Sequence, residues 1–246
     1  TDFLPDMQRA ENTLAIHGLN ASTESSDFLI NAELMAGRGT PIEIDETLQA
    51  YEGPITLTQA AHIKSRILGG SQWSSLTDMT FAMQSVIESL RITEVMYHPA
   101  ETGNPEDPNT EYIELMNTSD QSISLGLVHF TEGLRFDLPA IDVAPKEIVL
   151  VVKDIVAFEN RYGLDLPVIG EYTGSLSNSG EWIELRDAAE HIVHRLQYKD
   201  GWYDVTDGGG YSLTVNNPEE GPSEMLSDKD LWHPSDVLGG TPGLIE

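Results

Sequence analysis

The 246-residue chain contains no cysteine, which excludes disulfides, thiolate zinc sites and cysteine nucleophiles. Basic residues are also few: 13 lysines and arginines stand against 41 aspartates and glutamates, for a formal net charge of −28. Nucleic-acid phosphates and anionic membrane surfaces would be repelled, so we expect neither as a partner. The same excess of negative charge raises the local cation concentration, which makes calcium a candidate ligand.

Long apolar runs are missing too. Without a stretch of about 18 consecutive apolar residues, no segment is predicted to insert into a bilayer. The first residues, TDFLPDMQRAENT, lack a starting methionine and the basic-then-apolar order of a signal peptide. We therefore expect a processed protein or an excised fragment.

The clearest helical signal lies between Asp154 and Gly163. Asp154 can cap the helix, Ile155, Phe158 and Tyr162 fall on one face, and Gly163 can end it. The remaining chain is typical of short strands separated by turns. Apolar residues alternate with polar ones in three stretches, and one stretch is continuously apolar; the four are residues 62–67, 134–138, 211–215 and 147–152. This pattern predicts an all-β chain with one short helix.

Three regions differ in character. Residues 1–36 contain two predicted strands, LAIHGL (14–19) and DFLINAEL (27–34). Residues 40–84 form a β segment rich in proline and threonine, and residues 90–243 hold the longest consistent pattern. The boundary between the last two regions is predicted near residues 84–88.

The third region resembles the lamin-tail domain of bacterial exported proteins. The matching segments, in order, are ITEVMYHP (92–99), EYIEL (111–115), LP (138–139), AP (144–145), VVKD (151–154), LSNSGEWIEL (176–185), YKDGW (198–202), DGGGYSL (207–213) and GTPG (240–243). The resemblance implies an immunoglobulin-like antiparallel β-sandwich without catalytic residues as a family property. It also implies an extracellular or cell-surface location, with the signal peptide outside this chain.

Two upstream segments have partial resemblances. YEGPITL (51–57), AHIKSRI (61–67), QWS (72–74) and Phe81 are similar to the last half of the Fn3-like domain that follows chitobiases and β-hexosaminidases. NTLAIHGLN (12–20) and SDFLI (26–30) resemble the final strands of a galactose-binding-like jelly roll. Neither part is long enough to bury a full core alone, so we expect them to pack on each other or on the lamin-tail-like domain.

Two glutamates interrupt the predicted strand NTEYIELMN (109–117). Side chains alternate between the faces of a strand, so Glu111 shares a face with Ile113 whereas Glu114 points the opposite way. The pair therefore cannot act as an acid/base couple on one surface. We expect each to lie near a sheet edge or to pair with lysine or arginine, and Glu94 on the neighbouring strand is a candidate to join Glu111.

The loop HPAETGNPEDPNTE (98–111) is a candidate calcium site. Its hard oxygen donors are Glu101, Asn104, Glu106, Asp107 and Asn109, and oxygen donors of this kind suit calcium. The spacing fits no EF-hand loop, and three prolines also explain the segment as a stiffened, exposed connection. Asp204 and Asp207, before the glycines 208–210, form a weaker candidate beside a tight turn.

Other chemistry-bearing residues assemble into no motif. His191 and His194 are three residues apart in a predicted strand, so they are expected on opposite faces, unable to chelate one metal together. No HExxH, GxSxG or GxxxxGK[ST] pattern occurs. The four tryptophans, Trp73, Trp182, Trp202 and Trp232, could stack on sugars but are more typical of a sandwich core.

Two functions stay open on these grounds. The first is a non-catalytic structural or adhesion-type interaction module of a larger exported bacterial protein, with a protein or a cell-surface polysaccharide as partner. The second is an auxiliary carbohydrate-binding region of a secreted hydrolase. A planar row of exposed tryptophan or tyrosine would favour the second function, and buried tryptophans would favour the first.

Overall fold

The computed structural model describes residues 29–34, 51, 53–57, 60–69, 72–82, 86–219 and 227–245. The chain divides into two compact units, residues 1–83 and 84–246. The predicted strand LAIHGL lies outside the described residues. No helix within the described ranges is both long enough and apolar enough to cross a bilayer.

The first unit contains a three-stranded antiparallel sheet and a separate hairpin. Its strands are β1 (Leu29–Leu34), β2 (Ala61–Ser65), β3 (Leu68–Gly69), β4 (Gln72–Trp73) and β5 (Thr77–Ala82). The sheet order is β1-β5-β2, and β3 pairs with β4. β1 confirms the predicted strand DFLINAEL over residues 29–34, and the first two residues of that stretch lie outside the described residues. The expected alternation is wrong at Ile67, whose side chain is 69% exposed because the chain turns there into the β3–β4 hairpin.

The second unit is built around a six-stranded sheet. Its order is β13-β12-β7-β6-β16-β17. The strands are β6 (Leu90–Met96), β7 (Tyr112–Asn117), β12 (Ile148–Val152), β13 (Val168–Glu171), β16 (Leu213–Val215) and β17 (Trp232–Pro234). Neighbouring strands run antiparallel except β12 and β13, which are parallel. Parallel neighbours need a crossover connection, and the chain's α-helix lies in that connection.

A four-stranded antiparallel sheet with the order β10-β9-β14-β15 forms the other layer. Its strands are β9 (His129–Glu132), β10 (Phe136–Asp137), β14 (Glu181–Arg186) and β15 (Ile192–Tyr198). A short pair, β8 (Ile123–Ser124) with β11 (Asp142–Val143), lies beside them. The predicted strand over residues 134–138 is confirmed only as the two-residue β10, although Leu134 and Leu138 are both buried as the alternation requires.

The main core lies between these layers. Ile113, Leu115, Val149 and Val151 contribute to it from the six-stranded sheet, and Ile183 is one of the residues that meet them from the other layer. Alternate residues of β7 and β12 point the other way, towards the helix. β12 is buried at every position, which confirms the prediction of a continuous apolar strand covered on both faces. The chain is therefore an all-β protein whose second unit is a β-sandwich with one short α-helix.

Helix α1 (Ile155–Tyr162) covers the outer face of the six-stranded sheet. The carboxylate of Asp154 accepts the N–H of Ala157 at 2.8 Å, as a helix N-cap should. Gly163 ends the helix with a φ of 104°, a left-handed conformation that favours glycine. The predicted apolar face is confirmed, because Phe158 is fully buried in a second small core with Tyr112 on β7.

Candidate functional site

Glu111, immediately before β7, is buried at 3% exposure and accepts three hydrogen bonds. Lys153 Nζ, Tyr172 Oη and the backbone N–H of Leu176 each lie 2.8 Å from its carboxylate oxygens. The pairing with lysine confirms one of the two expected environments. Burial, and then the negative charge of Glu111, raise the pKa of Tyr172 well above its ordinary value. Tyr172 therefore stays a neutral hydrogen-bond donor. Through its bonds to Tyr172 and Leu176, the Glu111 carboxylate joins the start of β7 to the segment that follows β13.

Glu114 lies on a central strand, with β12 on one side and β6 on the other, so the expectation of a sheet edge is wrong for this residue. It is 2% exposed. Thr93 Oγ1 donates to its carboxylate at 2.6 Å, and the backbone N–H of Gly243 donates at 2.8 Å. A hydroxyl and a backbone N–H therefore bind this buried carboxylate.

Glu94 is also placed differently from the sequence expectation. Its register partner across the β6–β7 pairing is Glu114, not Glu111. A bulge after Ile92 shifts the pairing by one residue, so that Glu94 lies opposite Glu114 and not opposite Ile113. The carboxylate of Glu94 accepts hydrogen bonds from Tyr112 Oη at 2.6 Å, Thr241 N at 2.9 Å and Ser212 Oγ. Burial, followed by the charge of Glu94, raises the pKa of Tyr112 well above its ordinary value, so this phenol donates.

A fourth buried glutamate, Glu184, lies on the outer face of the four-stranded sheet. Thr131 Oγ1 donates to it at 2.8 Å, Arg186 Nε lies 2.7 Å away and Arg195 Nε 3.1 Å away. Burial acts to raise the pKa of Glu184, but these donors outweigh it and lower the pKa. The guanidinium of Arg195 also lies over the ring of Trp182, 4.3 Å from its centroid. Each of the four glutamates that are buried in the described part of the chain thus binds groups of neighbouring strands or segments.

Several polar groups of the candidate calcium loop form hydrogen bonds with one another. Asp107 accepts from Thr102 N at 2.5 Å and from Asn104 N at 3.2 Å, and Arg161 lies 3.6 Å from it. It lies in a 3-10 turn, residues Asp107–Thr110. Burial opposes the shift, but the hydrogen bonds from Thr102 and Asn104 lower the pKa of Asp107.

The other proposed calcium ligands lie at the loop surface. Asn109 Nδ2 donates to Glu106 Oε2 at 2.7 Å, and Glu101 is exposed. Across the described part of the chain, no group of three or more histidine, aspartate or glutamate side chains is arranged to hold a metal ion. Calcium binding by Glu101, Glu106, Asp107 and Asn109 stays an untested hypothesis.

The histidines at positions 98, 191 and 194 lie in separate environments. His98 Nδ1 lies 2.7 Å from Asp207 Oδ1, and the His98 ring contacts the position where Gly208 would carry a side chain. Gly208 has a φ of 76°, which confirms the tight turn expected beside Asp207. His194 is fully buried, whereas the side chain of His191 is 58% exposed, so the two do not share a surface.

Tryptophans divide into two kinds. Trp202 and Trp232 are buried in the main core. Trp182 and Trp73 are half-buried, and each has an arginine over its ring: Arg195 at 4.3 Å and Arg66 at 5.4 Å from the centroid. None of the four therefore presents a fully exposed face of the kind that a flat sugar platform would use.

A depression at the edge of the sandwich has a volume of about 600 Å³. We call it the edge cleft. Its lining includes His129, Thr131, Arg135, Phe136, Asp137 and Glu171. These residues come from β9, β10 and β13, that is, from both layers. Sequence patterns missed the cleft, because the alternation in residues 134–138 marks Asp137 as exposed but gives no sign that Glu171 lies across from it.

Comparison with models of known families, with curated proteins and with solved structures gave no match to this chain.

Proposed function

We propose that the chain is a non-catalytic interaction module of an exported, multidomain bacterial protein, with residues 90–243 forming a lamin-tail-like, immunoglobulin-like domain. The observation that carries this proposal is the use of its buried carboxylates. Glu94, Glu111, Glu114 and Glu184 are the residues best suited to acid/base chemistry, and each is bound by hydroxyl, amide or basic groups of the fold itself. None of the four faces the edge cleft.

The order of the lamin-tail-like segments supports the domain assignment, because the segments coincide with structural elements of the sandwich. ITEVMYHP contains most of β6, and EYIEL contains the first four residues of β7. VVKD contains the end of β12 and the N-cap of α1, and LSNSGEWIEL contains most of β14. The final GTPG supplies the amides that bind Glu94 and Glu114. These five segments therefore each form or contact a structural element of the second unit.

The tryptophan environments favour this function over an auxiliary carbohydrate-binding region. A sugar platform needs aromatic faces open to solvent, whereas Trp202 and Trp232 are buried and Trp73 and Trp182 are covered by arginines. The partial resemblances to chitobiase-associated and jelly-roll segments stay the ground for the carbohydrate alternative.

The purified chain should be screened against esterase, phosphatase and glycosidase substrates. We expect no turnover above background, because the four buried glutamates are each bound by groups of the fold and none of them lines the edge cleft. Turnover that disappears on substitution of one carboxylate or serine, in a variant that still folds, would contradict the proposal.

A further inference from the structure

The edge cleft lies where the two layers of the sandwich meet. β10 is the last strand of the four-stranded sheet, and β13 is the last strand of the six-stranded sheet. One isolated antiparallel bridge joins them: Arg135 N donates to Thr173 O at 3.2 Å, and Thr173 N donates to Arg135 O at 3.0 Å. The strands do not continue as a ladder beyond this bridge, so the cleft opens between two strand edges.

The next pair of that ladder would be Asp137 and Glu171. An antiparallel bridge at Arg135 and Thr173 places residues two positions further along each strand opposite one another and on the same face. Both side chains line the cleft and both are acidic. Like charges directly opposite on paired strands are destabilising. Repulsion between these two carboxylates disfavours continued pairing of the two strands at this point.

The open edge has the properties of a strand-docking site. An extended peptide can add to an exposed sheet edge through backbone hydrogen bonds, while pockets for alternate side chains provide specificity. Asp137 and Glu171 both line the cleft, and their carboxylates are suited to a cationic side chain. The cleft volume of about 600 Å³ lies within the roughly 300–1,000 Å³ usual for ligand pockets.

We propose that the edge cleft binds an extended, lysine- or arginine-containing segment of another protein, whose backbone pairs with the strand edge and whose basic side chain lies between Asp137 and Glu171. This inference rests on the proposed interaction function and names its surface and its kind of partner. The net charge of −28 supports it, because a field of that sign steers a basic partner towards the protein and raises its association rate.

Two other residues of the cleft define what it accepts. The ring of Phe136 lies against the backbone of Gly170, where any side chain would displace it, so an aromatic edge forms part of the wall. Arg135 is exposed on the same lining as the two carboxylates. The positive charge of Arg135 opposes a basic ligand, so substitution of Arg135 should strengthen the binding of a basic peptide. An acidic or neutral sugar would instead need Arg135 as a hydrogen-bond donor.

The test measures fluorescence anisotropy of a labelled hexapeptide that alternates threonine and lysine, titrated with the full 246-residue chain. Asp137→Asn and Glu171→Gln should each weaken binding about two- to fivefold, the range expected for one exposed ion pair. Glutamine keeps the oxygen that accepts the N–H of Ile155 at the start of α1, so Glu171→Gln should not unfold the helix. Arg135→Ala should strengthen binding about twofold or more.

Asp142→Asn is the matched control, because this exposed carboxylate lies on β11, outside the cleft lining, and its substitution removes the same charge. It should leave the affinity unchanged. A second control is the same peptide methylated on alternate backbone nitrogens, which keeps its charge but loses the N–H groups needed for edge pairing. Methylation should abolish specific binding.

Three results would overturn the proposal: no binding of the unmodified peptide, equal binding of the methylated one, or the same loss in Asp142→Asn as in Asp137→Asn. Binding of a neutral oligosaccharide that Arg135→Ala abolishes would also overturn it and would identify a sugar site. If the peptide does not bind, the proposed function is still supported, provided that the chain shows no turnover. Turnover would overturn the proposed function whether or not the peptide binds.

Discussion

Glu94 and Glu114 face each other across the β6–β7 pairing, and each binds one backbone N–H of the same C-terminal segment. Thr241 N donates to Glu94 at 2.9 Å, and Gly243 N donates to Glu114 at 2.8 Å. Two buried carboxylates in register would repel each other, so the surrounding donors are what make the arrangement stable. The segment over residues 239–243 is therefore bound to the outer face of the six-stranded sheet as part of the fold.

Gly240 is the residue of this segment that tolerates substitution least. Its φ is 80°, and an added Cβ would collide with Tyr112 Oη and Glu94 Oε1. We expect Gly240→Ala to lower the free energy of unfolding by more than about 1 kcal/mol, through backbone strain and through loss of the docked segment. Hydrogen exchange should show faster exchange of the Thr241 and Gly243 amides in the variant.

Gly201→Ala is the matched control for this substitution. Gly201 has no atom within 4 Å of the added Cβ and does not have a left-handed φ. Its substitution should leave both the unfolding free energy and the exchange of the C-terminal amides unchanged. If Gly240→Ala behaves in the same way, the carboxylates do not hold the C-terminal segment.

His194 should make stability depend on pH. Burial, aided by the charge of Arg91, lowers the pKa of His194 to about 3 from an ordinary 6.5, and its Nδ1 accepts the N–H of Ile92 at 2.8 Å. The unfolded chain therefore binds more protons than the folded one between pH 6.5 and 3. The contribution is complete above pH 6.5 and is lost as the pH falls towards 3, by at most about 1.4 kcal/mol per pH unit.

Urea unfolding across this pH range will check the prediction. His194→Asn offers an amide oxygen to the N–H of Ile92 but does not titrate, so its stability should fall less steeply between pH 6.5 and 4 than that of the parent chain. Identical slopes for the two proteins would show that His194 is not the group responsible.

Calcium tests the loop over residues 98–111. Asp107 already accepts hydrogen bonds from Thr102 and Asn104 and lies 3.6 Å from Arg161. With those oxygens engaged, we expect calcium chloride and sodium chloride at equal ionic strength to raise Tm by the same amount, as charge screening would. A larger shift in calcium that follows RT ln(1 + [L]/Kd) and disappears in Asp107→Asn would instead establish the loop site.

Local patterns predicted much of the fold. The caps and apolar face of α1, the doubly buried β12 and the opposite directions of Glu111 and Glu114 all follow from side-chain periodicity and capping chemistry. These features depend on residues close in sequence. Each could therefore be derived without knowledge of the tertiary structure.

The environments of the carboxylates could not be derived in the same way. The bulge after Ile92 changes the partner of Glu94, and no local signal marks it. The donors to Glu114 include Gly243, which is 129 residues away. The edge cleft likewise depends on contact between β10 and β13, which belong to different sheets. Register and long-range pairing are set by packing of the whole sandwich, not by alternation within one strand.

Equilibrium unfolding of Glu111→Ala tests the central claim, that the buried carboxylates build the fold and do no chemistry. The substitution leaves Lys153, Tyr172 Oη and the N–H of Leu176 without their shared acceptor. We expect a loss of about 3 kcal/mol or more, because breaking a buried ion pair leaves an uncompensated charge. The exposed control Glu101→Ala should change stability by less than about 0.5 kcal/mol. Equal stability of the two variants, with a measurable turnover lost only in Glu111→Ala, would contradict the account.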